Sequence, residues 1–394
     1  MKNIYSVVRL RKLCFLTGYV MKSPAVASVT FKKLIQCCSK SHILNVQNTS
    51  NATSLQYGPL GCLLKKNIFN EWFYSILNDG NVNMFPVEIS NPRKQTFLLQ
   101  SSIKEVSNDL LQNVIDKYFE IHNRLGYDLP FGLVMHEPCI NKNISREESP
   151  VHMDLNILNN LEAWTRISVI FFCPPKKSIN WFHHWSKERH LWWRKVTKTS
   201  SDDQHLSLLL EYPWGKEKLE TITLHDGKFI HDLCEKYQKQ QQINSLNQNS
   251  IPAVITCETE LDLAVMACLA NSYDEDRNLF HLHCKLAPYK ISFAVEQNDL
   301  ELFRKMENVV SHITKELKRI GISVLAESDS NVSVALETKL EKYDEMGIPY
   351  VVILNEESLS TGYAGLRNRD STLQEQILIS DIPSLLAEYL EIER

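Results

Sequence analysis

From residue 291 onward, short apolar runs alternate with helical stripes, and this alternation constrains the fold more than any other feature of the chain. The run at 291–296 is strand-like. The next segment places Phe303, Met306, Val310, Ile313, Leu317 and Ile320 on one helical face and stops at Gly321. A strand ISVLAE, a helix through 332–346 ended by Gly347, the apolar strand YVVILN, two more polar strands and a last helix at 382–390 complete the pattern. Such alternation predicts a self-sufficient α/β domain, set off by a composition change near 284–290. A chain of 394 residues exceeds one compact core, so at least one further domain is expected upstream.

The upstream block reads differently. Residues 57–72, YGPLGCLLKKNIFNEW, predict a turn at Gly58–Gly61 followed by a helix with Leu63, Leu64, Ile68, Trp72 and Phe73 as its buried stripe; Lys65 and Lys66 are then possible surface contacts. A second helix is expected at 103–125, from the three- and four-residue steps of Ile103, Val106, Leu110, Val114, Tyr118, Ile121 and Leu125, with Gly126 as its stop. FGLVM at 131–135, ISVIFFC at 167–173 and AVITC at 253–257 are strand signals, and the last runs into a helical DLAVMACLANSY. Residues 42–56 are polar and expected to be loose, and the glutamine- and asparagine-rich 236–250 reads as a surface loop. Together these predict an antiparallel sheet carrying helices.

The net charge of −4 hides an asymmetry. Ten Lys or Arg precede the first acid, Glu71, and from there the chain is net −14. An acid-free, Ser/Thr-containing start with Arg9, Arg11, Lys12, Lys22, Lys32 and Lys33 favours a mitochondrial transit peptide over a secretory signal or a plain basic arm. The expected boundaries are therefore 1–40 leader and disordered arm, 41–285 first domain and 286–394 second domain. No apolar run approaches the roughly 18–20 residues that cross a bilayer. Ten scattered cysteines without a CxxC pair fit reduced thiols, and the HLHC at 281–284 lacks a second ligand pair, so neither metal nor cofactor is expected.

Between 165 and 200 lie Arg166, Lys176, Lys177, Lys187, Arg189, Arg194, Lys195 and Lys198 against one acid, Glu188. Trp181, Phe182, Trp185, Trp192 and Trp193 are interleaved with the later cations. This is the surface chemistry of phosphate contact without a base-reading device, with Lys187, Arg189, Arg194, Lys195 and Lys198 as candidate DNA-binding residues. A solvated charge run over tryptophans that serve as core is the other reading.

Three segments resemble the class II aminoacyl-tRNA synthetases, their glycyl branch in particular: YGPLGCLLKKNIFNEW the first motif, LPFGLVMHEPCINKNIS the second and VITCETELDLAVMACL the third. LAPYKISF, KYDEMGIPYVVIL and LRNRDSTLQEQILIS resemble the anticodon-binding domain of the same enzymes. The resemblance implies an α+β class II synthetase-like domain followed by an α/β anticodon-binding-like domain with a mixed sheet. It also exposes a departure. Where the family holds the ATP phosphates with an arginine in motif 2 and another in motif 3, this chain aligns Asn141 and Leu263, with Asn143 replacing an acid. Each such transition-state contact is worth about 10²- to 10³-fold, so the resemblance no longer implies catalysis.

WFHHWSKERHLWWRKVTK, EYPWGKEKLETITLHDG, HCKLAPYK, KYDEMGIPY and LRNRDSTLQEQ further resemble the accessory subunits of mitochondrial DNA polymerase gamma. That family implies a noncatalytic processivity factor of the matrix nucleoid whose partners are the polymerase catalytic subunit and primer-template DNA. Alternatives are a divergent mitochondrial synthetase and a tRNA-binding synthetase paralogue. The last domain carries 11 basic and 19 acidic residues from 288 onward, a poor autonomous tRNA binder and a better platform for a basic protein. Arg367 and Arg369 are its candidate partner-binding residues, unless they pair internally with Asp370 or Glu375. Vertebrate members dimerise through a helical insertion, for which 85–132 has little room, so one copy per catalytic subunit is expected.

Overall fold

The computed structural model describes residues 24–48, 53–78, 82–88, 111, 114–140, 161, 163–197, 207–212, 215–241, 251–296, 299–326 and 334–391. The first lobe comprises α1 Pro24–Lys40, β1 Leu44–Asn48, β2 Thr53–Tyr57, α2 Pro59–Leu77, β3 Asn83–Pro86, β4 Phe131–Ile140, β5 Ala163–Cys173, α3 Ser178–Thr197, β6 Ser207–Tyr212 and β7 Gly215–Leu224. It continues through α4 Gly227–Gln241, β8 Ala253–Glu260, α5 Leu261–Ser272 and a small hairpin, β9 Tyr273–Asp274 with β10 Leu279–Phe280. Helical residues 114–124 precede β4 and end in a π turn at Glu120–Arg124.

The six strands run in the order β3-β4-β5-β8-β7-β6. All pairs are antiparallel except β3–β4. β5 is central, which is why its apolar run is continuous: both faces are covered. One face packs under α2, α3 and α5 with Trp72, Ile167, Val169, Phe171, Trp185 and Trp193. The other packs Phe131, Leu133, Ile170 and Phe172 against Tyr118, Phe119, Ile121, Ile230 and Cys234.

The glycines ahead of α2 have a steric reason. The Gly58 amide donates to the Ile43 carbonyl at 2.9 Å, and a Cβ on Gly58 or Gly61 would collide with the carbonyl oxygens of His42 or Ile43. The turn is closed against backbone, and only glycine fits.

The second lobe contains β11 Ile291–Val295, α6 Leu300–Arg319, β12 Val324–Leu325, α7 Leu336–Glu345, β13 Tyr350–Leu354, α8 Glu356–Thr361, β14 Tyr363–Asn368, β15 Gln374–Leu378 and α9 Ile382–Tyr389. Its sheet order is β12-β11-β13-β14-β15, parallel through the first three strands and antiparallel through the last. Asp299 caps α6 by accepting from the amides of Glu301 and Leu302, and Gly321 leaves it at φ +81°.

Several expectations change. Residues 31–40, expected in the leader and arm, belong to the folded lobe: Phe31, Leu34, Ile35, Cys37 and Cys38 of α1 are buried in its core. Their spacing is helical, and the absence of acids obscured it. Residues 42–56, expected to be loose, contribute β1 and nearly all of β2, an antiparallel pair. α4 runs to Gln241, into the glutamine-rich stretch expected to be loop. Of the expected 103–125 helix, 103–110 and 112–113 lie outside the described residues.

Candidate functional site

Strand register decides which side chains share each face of the six-stranded sheet. Beyond the apolar patch at Phe131, Leu133 and Phe172, the same face turns polar. Glu137 stands opposite Arg166 and Arg166 opposite Glu260, while Ser168 faces Glu258. The Arg166 Nε donates to Glu260 Oε1 at 3.1 Å. Burial pushes the Glu137 and Glu260 carboxyls above the usual range, with Arg166 pulling each back. His225, 3.0 Å from Thr256 Oγ1, is pushed down to about 4 by burial and stays neutral. The described part of this face thus offers three carboxylates and one guanidinium already committed to Glu260. Polyphosphate would meet repulsion here.

The β8–α5 junction shows what the aligned arginine position now does. Asp262 is fully buried and accepts three hydrogen bonds, each of 2.7 Å, from Tyr57 Oη, Lys65 Nζ and the Thr165 amide. It ties β2, α2 and β5 together. Burial pushes the Tyr57 phenol well up, and the neighbouring Asp262 charge adds to this. The next residue, Leu263, is 8% exposed and belongs to the apolar core. Lys65 is therefore an internal partner, whereas Lys66 is exposed. Asn141 and Asn143 lie outside the described residues.

α3 carries most of the expected basic patch and has two sides. Trp185, Arg189, Trp193 and Thr197 form its buried stripe, four residues apart. Lys187, Arg194 and Lys195 are exposed, as are Lys176 and Lys177 just before the helix. Lys195 lies 3.8 Å from Glu391 in an exposed pair, and Lys198 lies outside the described residues. Arg189 corrects the sequence expectation. It is 2% exposed, donates from Nε to both Glu220 oxygens at 3.0 and 3.1 Å, and reaches Ser75 Oγ through Nη1 at 3.2 Å. The Trp193 indole N–H also donates to Glu220, and the guanidinium lies 4.8 Å from the Trp192 ring centre. This cation fastens the helix to β7 and is closed to DNA.

The two arginines expected to meet a partner are also engaged internally. Arg367 makes a bidentate pair with Asp344, both contacts at 2.8 Å, rather than with Glu375. Arg369 is 1% exposed; it donates to the Gly347 and Leu282 carbonyls at 2.7 and 2.9 Å and to Asp370 at 2.9 Å. Arg369 therefore joins the lobes and is unavailable at the surface. Of the HLHC histidines, His281 sits between Asp370 (2.7 Å) and Asp274 (3.3 Å), bridging the same junction. No cluster of three or more His, Cys, Asp or Glu among the described residues is placed to hold a metal ion.

Burial pushes the Asp370 carboxyl up, but the His281 bond and the Arg369 charge outweigh it and hold it well below the usual range. A carboxyl depressed by folding stabilises fully above its unfolded value of about 4, and that stabilisation is lost as pH falls through the folded value. The Tm gap between wild type and Asp370→Asn is accordingly expected to shrink as pH is lowered below about 4. A gap that widens in acid would reverse the sign.

A mainly antiparallel six-stranded sheet flanked by helices, followed by a five-stranded mixed lobe, is the frame of a class II aminoacyl-tRNA synthetase with its anticodon-binding domain. Residues 293–389 match the family model described as anticodon binding domain. The prolyl-tRNA synthetase of Giardia lamblia, solved with prolyl-adenylate, has this fold: TM-score 0.64 at 14% identity, covering 95% of this chain and 82% of that one. In sequence the chain is similar to DNA polymerase subunit gamma-2 of Mus musculus, 26% identical over 96% of this chain and 95% of that protein. It is 25% identical to the Xenopus laevis protein named DNA polymerase subunit gamma-2, mitochondrial, over 91% and 87% of the two chains. A glycine–tRNA ligase of Staphylococcus aureus (strain JH9) is 24% identical over 70% of this chain and 61% of the ligase.

Proposed function

We propose that this chain is a noncatalytic accessory subunit of the mitochondrial DNA polymerase that binds the catalytic subunit and primer-template DNA and raises processivity. The observation that carries this is similarity to DNA polymerase subunit gamma-2 over nearly the whole of both chains. The carboxylate-lined sheet face and the apolar placement of Leu263 support the noncatalytic half. The exposed cations Lys187, Arg194 and Lys195 of α3, with Lys198 beyond it, support the DNA-contacting half as contacts to phosphate. The acidic terminal lobe supplies the surface for the catalytic subunit, one copy per polymerase, in the matrix nucleoid. Extra contacts slow dissociation of the polymerase, so more nucleotides are added per encounter.

Processivity of a mitochondrial polymerase catalytic subunit, measured by product length at moderate salt with and without this chain, is the test. Longer tracts are expected, together with no ATP–pyrophosphate exchange for any amino acid. Unchanged tract length, or robust exchange, would overturn the proposal.

A further inference from the structure

The terminal lobe is acidic overall, yet α6 alone holds five of its eleven cations, Arg304, Lys305, Lys315, Lys318 and Arg319, against three glutamates. Their placement around the helix is ordered. Phe303, Met306, Ile313 and Leu317 face the core. The opposite line, Arg304, Asn308, Ser311, Lys315 and Lys318, is exposed throughout and contains no acid. Lys305 and His312 lie on one flank, paired with Glu301 at 2.9 Å and Glu316 at 3.5 Å. Arg304, Lys315, Lys318 and Arg319 make no ion pair among the described residues. The helix dipole favours cations in the last turn, which accounts for Lys318 and Arg319. It disfavours them near the start, where Arg304 stands.

Arg304 to Lys318 spans about 21 Å at 1.5 Å per residue, the length of about six base pairs at about 3.4 Å each. The end of α3 is tied to the same lobe. α9 packs on α6, and Glu391, just beyond α9, is 3.1 Å from Lys285 and 3.8 Å from Lys195 at the end of α3. The chain leaving α6 is fastened nearby, with Ser323 Oγ donating to the Pro288 carbonyl at 3.1 Å. One carboxylate between two lysines leaves this contact itself net positive.

We propose that the outer face of α6 is a second phosphate-binding track for duplex DNA, in addition to that on α3. It rests on the DNA-contacting reading above. A duplex takes this track through its backbone and without sequence preference, because lysine and arginine on one straight helical line reach phosphates and not base edges.

Binding of the full chain to a 25-base-pair DNA duplex, titrated across a salt series, tests this. Each phosphate contact contributes about −0.9 to the log–log salt slope, so R304Q/K315Q/K318Q is expected to flatten the slope by about 3 and weaken binding about tenfold. The parallel variant K187Q/R194Q/K195Q reports on α3 alone. Unchanged Tm confirms that both variants fold. If the α6 variant keeps wild-type affinity and slope while the α3 variant loses both, the second track is overturned and the first stands. If the α6 variant keeps its DNA affinity but binds the catalytic subunit more weakly, the strip belongs to a protein partner and the proposal falls. A wild-type chain without measurable duplex affinity at low salt would overturn both tracks.

Discussion

Glu220→Ala is expected to lower the stability of the first lobe by about 3–5 kcal/mol, one of the largest losses available to a single substitution here. The reason is an imbalance in what remains. Glu220 is 1% exposed and receives two bonds from Arg189 and one from the Trp193 indole. Removing it strands a guanidinium in the core with, among the described residues, Ser75 Oγ and the faces of Trp72 and Trp192 for company. An uncompensated buried charge costs more than the pair contributes, because the desolvation penalty is no longer offset. The double variant R189M/E220L, which removes both charges, should recover much of the loss. Urea denaturation read by tryptophan fluorescence measures both. If the double variant is as unstable as the single one, the loss comes from packing and the electrostatic account fails. Because α3 is the helix held by this pair, the DNA contact proposed for α3 predicts that Glu220→Ala also weakens DNA binding, although Glu220 is buried.

Arg369→Ala is expected to be the second large loss, about 3 kcal/mol or more, and to act between the lobes. The guanidinium satisfies the Gly347 and Leu282 carbonyls, one in each lobe, and braces Asp370 against His281. Truncation leaves two buried carbonyl oxygens without donors and a carboxylate with one partner fewer. Arg369→Lys should rescue little, since an ammonium cannot reproduce the fork that reaches both carbonyls and Asp370 at once. Thermal unfolding followed by calorimetry should change from one transition towards two. A single transition with unchanged Tm would show that the apolar contacts carry the junction without the arginine.

Most of the terminal lobe was legible in the sequence, because its longer strands and helices have the period of their own class and Gly321 and Gly347 stand at helix ends; the short α8 was not expected. The first lobe was legible at β5 and at the Gly58–Gly61 turn, where the local pattern and the tertiary role coincide. Arg189 was not. It lies two positions beyond Lys187, and a turn of about 200° between them puts one inside and the other outside. A charge count over a window carries no phase. The signal available was Trp185, Arg189 and Trp193 at four-residue steps, a cation set within an aromatic stripe. Its partner Glu220 lies 31 residues away on a strand, and Asp262 lies 205 residues from Tyr57, so neither pairing had a local signature. Burial of α1 was present in Phe31, Leu34, Ile35 and Cys38, but composition outweighed periodicity there.

The junction built by Arg369, His281 and Asp370 is reinforced by Lys40 with Glu345 and by Arg277 with Asp344. Its consequence is mechanical. Two sites on a flexible linker meet at an effective concentration set by chain statistics, whereas two sites on a stiff spacer are held at one distance and one angle. On the function proposed above, a polymerase-binding surface and DNA-contacting helices on lobes braced in this way behave as a bracket. Departure of the enzyme from the duplex is then resisted by the stiffness of a few bonds between the lobes.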